Sequence, residues 1–258
     1  MQASNRPPLF TVAWYVLVEA RRGALPWLAA ASVLAALGLA AFLSQVAITE
    51  AASLQASACA ALLRACAAFL VAAHVAASVV REANDKGLEL ALALPMSRPS
   101  WYLGKLLGFA ITGALIAALF ALPLLGWAAP ANLAAWWLAL AAEAAVVAAA
   151  ALFFASALGQ TVAAISATLG LYVLARSIAS IQAIAGSPLA DGTAGHAARW
   201  LVDGLALLLP RLDTGARGDW LLYGAPPAAE LASALGGLAI YFVLLAAAGL
   251  FDFSRRNL

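Results

Sequence analysis

The chain has 258 residues, of which 66% are hydrophobic and only 10% charged, with a net charge of +2 and a mean hydropathy of +0.96. Its apolar residues come in blocks of about twenty, the length a helix needs to cross a bilayer, which excludes a water-soluble globule. Alanine and leucine supply most of that apolarity, so a β-barrel with its alternating strands is excluded as well, and the bulk charge carries no nucleic-acid signal. The expectation is one all-helical membrane domain, 1–258, in contact with lipid and with no nucleic-acid partner.

Residues 8–23 open with a helical pattern in which Thr11, Tyr15, Glu19 and Arg22 form one polar stripe and Leu9, Phe10, Val12, Trp14, Val16 and Leu17 fill the rest. This predicts a helix lying in the membrane interface. The apolar run that follows Arg22 is too long for the core of a secretory signal. Six spans are then predicted, at 24–48, 52–80, 102–127, 133–158, 161–184 and 231–251. Cys59 and Cys66 stand seven apart within the second span, on one helix face, and are expected to be small apolar fillers rather than a disulfide. His74 and Ser78 lie near the inner end of that span. With no second histidine nearby in sequence, His74 is expected to be a packing residue and no metal is predicted; the same holds for His196.

Between the second and third spans lies the densest charge in the chain, 81–98, containing Arg81, Glu82, Asp85, Lys86, Glu89 and Arg98. Leu88, Leu90, Leu92 and Leu94 sit among those charges, and Pro95 stops any helix, since proline lacks the amide donor and clashes with the preceding turn. A short amphipathic helix of this kind needs a partner surface, either a docking protein or the bilayer interface. Ser97 or Ser100 can cap the third span.

Pro130-Ala131-Asn132 marks the next turn, flanked by Trp127, Trp136 and Trp137, which fit an interfacial belt. Gly159-Gln160 turns the chain between the fourth and fifth spans. Residues 185–230 are mixed, with a piece from Arg199 to Leu209 too short to span and expected to dip into the outer interface, anchored by Trp200 and Trp220. Six spans place both termini on one side. Nine Lys and Arg then fall on the side of the termini and three on the other, which orients both termini and the 81–98 loop inward and the 185–230 segment outward.

An interfacial helix before the first span, a charged segment with Glu82 and Gly87 after the second, then Leu94-Pro95-Met96-Ser97-Arg98 and Tyr102-Leu103-Gly104-Lys105 entering the third, resembles the permease subunits of ABC-2-type transporters. The resemblance extends to the order of spans and the basic tail, and is nearest to bacterial half-permeases that pair with a separate ATPase, including those serving copper-enzyme maturation. It implies a bacterial inner-membrane protein acting as a permease pair, most simply a homodimer. The 81–98 segment would be a coupling helix seated on a cytoplasmic ATP-binding subunit through Glu82, Asp85, Lys86, Gly87, Glu89, Leu90, Leu94, Pro95, Ser97 and Arg98. No Gly-x-x-x-x-Gly-Lys-Ser/Thr loop occurs, so ATP and Mg would be bound by the partner and this chain would be no enzyme and hold no cofactor. The Gly159-Gln160 turn departs from the pattern in lacking basic residues.

Arg64, Glu143 and Arg176 fall within spans, where each charge costs about 2.5–3.5 kcal/mol at a helix centre. The predicted spans put them at similar depth, roughly 12–15 Å below the outer surface at 1.5 Å per residue. They can form a charge-compensated staple, or line a path. The second possibility supports an alternative function, a secondary carrier that binds its cargo at these three residues, although no inverted repeat or broken helix accompanies it. No catalytic motif of an intramembrane enzyme is present.

Overall fold

A computed structural model describes residues 8–46, 50–85, 97–186 and 193–255, all helix and short connections, with no strand among them. The helices are α1 (Pro8–Arg22), α2 (Leu25–Val46), α3 (Ala51–Asn84), α4 (Arg98–Ala121, continued by a 3-10 turn Leu122–Gly126), α5 (Pro130–Leu158), α6 (Thr161–Ala185), α7 (Thr193–Leu208), α8 (Asp219–Tyr223) and α9 (Ala228–Arg255). Six of them, α2 to α6 and α9, are long and apolar enough to cross a membrane.

The hub is α5. Two thirds (67%) of its most apolar window is buried, against 17% for α2 and for α9 at the periphery. The reason lies in its composition: Ala144, Ala148, Ala149 and Ala151, with Val146 and Val147 between them, are all buried and offer little bulk, so α3, α4, α6 and α9 can close on it from several sides. At Gly113 of α4 a side-chain carbon would come within 2.9 Å of the Ala144 methyl, so this crossing requires glycine. Pro130 opens α5 in the first turn, where its missing amide costs nothing. Gly159, at φ +64°, closes it and passes the chain to α6 through Gln160 alone.

The helix α1 lies along α4. Gly104 faces the Leu9 carbonyl and Val12, and Gly108 faces Val16 and the Ala13 carbonyl, each so closely that a side-chain carbon would fall within 3 Å of α1. The predicted apolar face of α1 therefore divides: Ala13 and Val16 are buried while Phe10 and Trp14 remain more than half exposed.

The predicted spans and the observed helices agree in number and order, and differ at the ends. With 34 residues, α3 is about 50 Å long at 1.5 Å per residue, well beyond a hydrocarbon core of about 30 Å. Its last turn takes up Arg81 and Glu82, which the sequence assigned to the loop. Ser97 caps α4, accepting from the Ser100 amide at 3.4 Å, and Pro99 follows in the first turn.

The tryptophans depart further from expectation. Trp136 is fully buried in the bundle, and Trp137 donates to the Ala114 carbonyl at 3.3 Å. Trp127 donates to Gln55 at 3.0 Å, whose own amide reaches the Ala40 carbonyl at 3.0 Å, a strap across α2, α3 and the end of α4. In the 193–230 region Trp200 is 79% exposed but Trp220 is buried, because α8 packs on α3 and α5 instead of lying outside the bundle. Cys59 is buried and donates to the Ala36 carbonyl at 3.2 Å, and neither Cys59 nor Cys66 is in a disulfide.

Candidate functional site

Two polar constellations stand out. The first surrounds the base of the 85–97 connection. Glu19 of α1 accepts from Ser78 at 2.9 Å and is ion-paired with Arg81, so α1 is tied to the end of α3. Glu82, one residue on, pairs with Lys105 of α4 at 2.5 Å. Lys105 is 7% exposed, with its ammonium 5.7 Å from the Trp101 ring centre and 5.9 Å from that of Phe109, so the buried charge has a counterion and two aromatic faces. Asp85 caps α3, its amide donating to the Arg81 carbonyl at 2.9 Å, and Arg98 begins α4.

Of the residues predicted to dock a partner, Glu82, Asp85, Ser97 and Arg98 thus frame the connection, with Glu82 engaged inside the bundle. Lys86, Gly87, Glu89, Leu90, Leu94 and Pro95 lie outside the described residues. The signal for the Glu82 to Lys105 pair was present in the sequence as two charges at the edges of adjoining spans.

The second constellation lies among the long apolar helices α3, α5 and α6. Arg176 and Glu143 meet at 3.0 Å, between α6 and α5. Glu143 is 1% exposed, so its carboxylate would be costly without this partner. The same Arg176 nitrogen also donates to the carbonyls of Leu212 and of Gly215, the latter at 3.0 Å. Arg64 of α3 makes no ion pair here; it donates to the Ala216 carbonyl at 2.7 Å. Arg64 and Glu143 stand about 20 Å from the starts of α3 and α5 at 1.5 Å per residue, further along than the sequence spacing implied, while Arg176 stands about 14 Å from the end of α6, as expected.

The carbonyls come from a segment the sequence left outside. Residues 210–221 fold back into the end of the bundle, with Leu212, Gly215, Ala216, Trp220 and Leu221 buried. Gly215 passes so near the Glu143 carboxylate that a side-chain carbon there would sit 3.1 Å from it. Ala216 adopts φ +42°, a left-handed conformation that costs an alanine about 1 kcal/mol or more, and in it the carbonyl that meets Arg64 is presented. A crevice of about 430 Å³ runs beside this plug, between Pro210, Arg211, Thr214 and Arg217 on one wall and Tyr241 of α9 on the other. The second Glu143 oxygen has no hydrogen-bond partner.

His74 packs edge-on to Phe109, with ring centres 5.7 Å apart. His196 lies outside the described side chains. Among the described residues no three His, Cys, Asp or Glu side chains converge as metal ligands. No family model matches the chain, and no curated protein is similar enough to be counted a relative.

Proposed function

We propose that the chain is the membrane-spanning permease subunit of an ATP-driven exporter of the ABC-2 type, which couples hydrolysis in a separate cytoplasmic ATPase to movement of cargo. The observation that carries this reading is the tying of α1, α3 and α4 around a single polar connection, through Glu19 with Ser78 and Arg81, and through Glu82 with Lys105. A force applied to 85–97 is delivered to three helices at once, which is what a docking element must do if a soluble motor is to tilt spans. In this account the termini and the connection are cytoplasmic, the membrane is a bacterial inner membrane, α1 rests in the interface, residues 86–96 seat the ATPase, and a second copy of the chain completes the path. The plug at 210–221 closes the outward end and is released as the spans tilt.

The test is co-purification of the full chain with an ABC-type ATPase of its host, for which an open frame next to the gene is the expected source. Replacing residues 88–94 by a Gly-Ser linker removes the leucines without touching either ion pair. Loss of the ATPase from a chain that still folds supports the proposal, and its retention overturns it. Charge reversal at Glu82 is the poorer probe, because it would set two cations against each other inside the bundle. The secondary-carrier alternative draws on Arg64, Glu143 and Arg176. Arg176 already spends three hydrogen bonds on the protein's own oxygens, which favours a structural staple. A carrier would transport with 88–94 replaced.

A further inference from the structure

The elbow where α1 turns into α2 stands away from α3 and leaves a crevice of about 300 Å³. Its apolar walls are Leu25, Leu28, Phe69 and Leu70. Leu28 and Phe69 are about half exposed (51% and 50%), so the walls run out onto the bundle's membrane-facing surface. The polar rim is formed by Glu19, Ser78 and Arg81, and deeper within stands His74, whose buried Nε2 has no hydrogen-bond partner.

We propose that this crevice is a binding site for one anionic phospholipid. A slot of this volume cannot accept a helix, which is about 10 Å across, but it suits an acyl chain lying along the α2 and α3 walls. The rim carries surplus positive charge. Glu19 is spent on Ser78 and Arg81, and Arg22, three residues on and therefore on the same face of α1, is exposed with no ion-pair partner among the described residues. Arg22 and Arg81 against Glu19 leave one net positive charge beside the opening, which a phosphate diester neutralises and a choline would oppose. Trp27, 81% exposed next to the elbow, is the kind of side chain that settles at the headgroup level. A phosphate at Arg81 would leave its acyl chain to run past Ala77 and Ala73, one and two helical turns further along α3. The inference requires only that the bundle is embedded in a bilayer, and stands whether or not an ATPase docks at the connection.

Native mass spectrometry of the detergent-solubilised full chain tests it, with phosphatidylglycerol and phosphatidylcholine of identical acyl chains as probes. The expected result is a single phosphatidylglycerol retained after other adducts are stripped, preferred over phosphatidylcholine by about tenfold, the scale set by one to two basic groups at a surface. Ala77→Trp, which fills the slot without changing charge, should abolish that adduct, and Arg22→Gln should reduce the headgroup preference. Ala73→Leu is the milder filling variant if Ala77→Trp does not fold. Equal retention of the two lipids, or an adduct that survives the filled slot, overturns the proposal.

Discussion

At the scale of single residues, the Glu143–Arg176 pair decides how the core tolerates charge. Removing one partner of a buried pair leaves the other uncompensated, at a cost of about 3–5 kcal/mol. Arg176→Met should therefore lower the thermal unfolding temperature of the purified protein strongly, and Glu143→Leu combined with it should recover much of the loss. Glu143→Gln separates staple from path: if stability falls while transport per folded molecule holds, the pair is structural. Arg64→Met removes no ion pair but takes the arginine donor from both the Ala216 carbonyl and the Tyr172 hydroxyl, so about 1–3 kcal/mol is expected for each buried group left unpaired. Glu143 and Arg176 could be picked out from sequence because a charge inside an apolar block demands an explanation. The carbonyls of Leu212, Gly215 and Ala216 could not, since a backbone acceptor has no side-chain signature and every residue carries one.

Helices and their crossings come next. The spans themselves were legible, because a run of about twenty apolar residues has few other fates. The positions of Trp136 and Trp220 were not: an indole suits a headgroup belt and a packed core equally, and hydropathy does not separate the two. The α1–α4 crossing depends on Gly104 and Gly108, and Gly108→Val should separate the helices or strain them. An overpacking cost of about 1–3 kcal/mol is expected, read as a lower unfolding temperature with α1 more open to proteolysis. The plug offers a sharper experiment. A side-chain carbon at Gly218 would lie 3.6 Å from that of Ser57, within the range of a disulfide. In a background with Cys59 and Cys66 replaced by alanine, Ser57→Cys with Gly218→Cys should oxidise readily. If the segment leaves the bundle during transport, the oxidised protein stalls and reductant restores it; unchanged transport would identify a fixed seal.

For the molecule as a whole, the count of six helices of spanning length places Ser97 and Arg255 at one end and Arg217 at the other. With single cysteines at these positions in the same alanine background, an impermeant maleimide should label Arg217→Cys in intact cells, and Ser97→Cys and Arg255→Cys only after permeabilisation. The opposite pattern would reverse the orientation and remove the cytosolic motor from reach of residues 85–97. This orientation came from the distribution of arginine and lysine, a signal that acts during insertion and leaves no trace in packing.

The link of Gly159 and Gln160 is the shortest tether between any two long helices of the bundle. Two residues give the adjoining helix ends little room to part, and the Glu143–Arg176 pair ties the same two helices again midway along. The hub and α6 must consequently swing as one stiff paddle, carrying Glu143 and Arg176 along without parting them, while any sliding is left to the seams with α3, α4 and α9. A spin label on each arm of that paddle should report a constant separation through every state the protein visits.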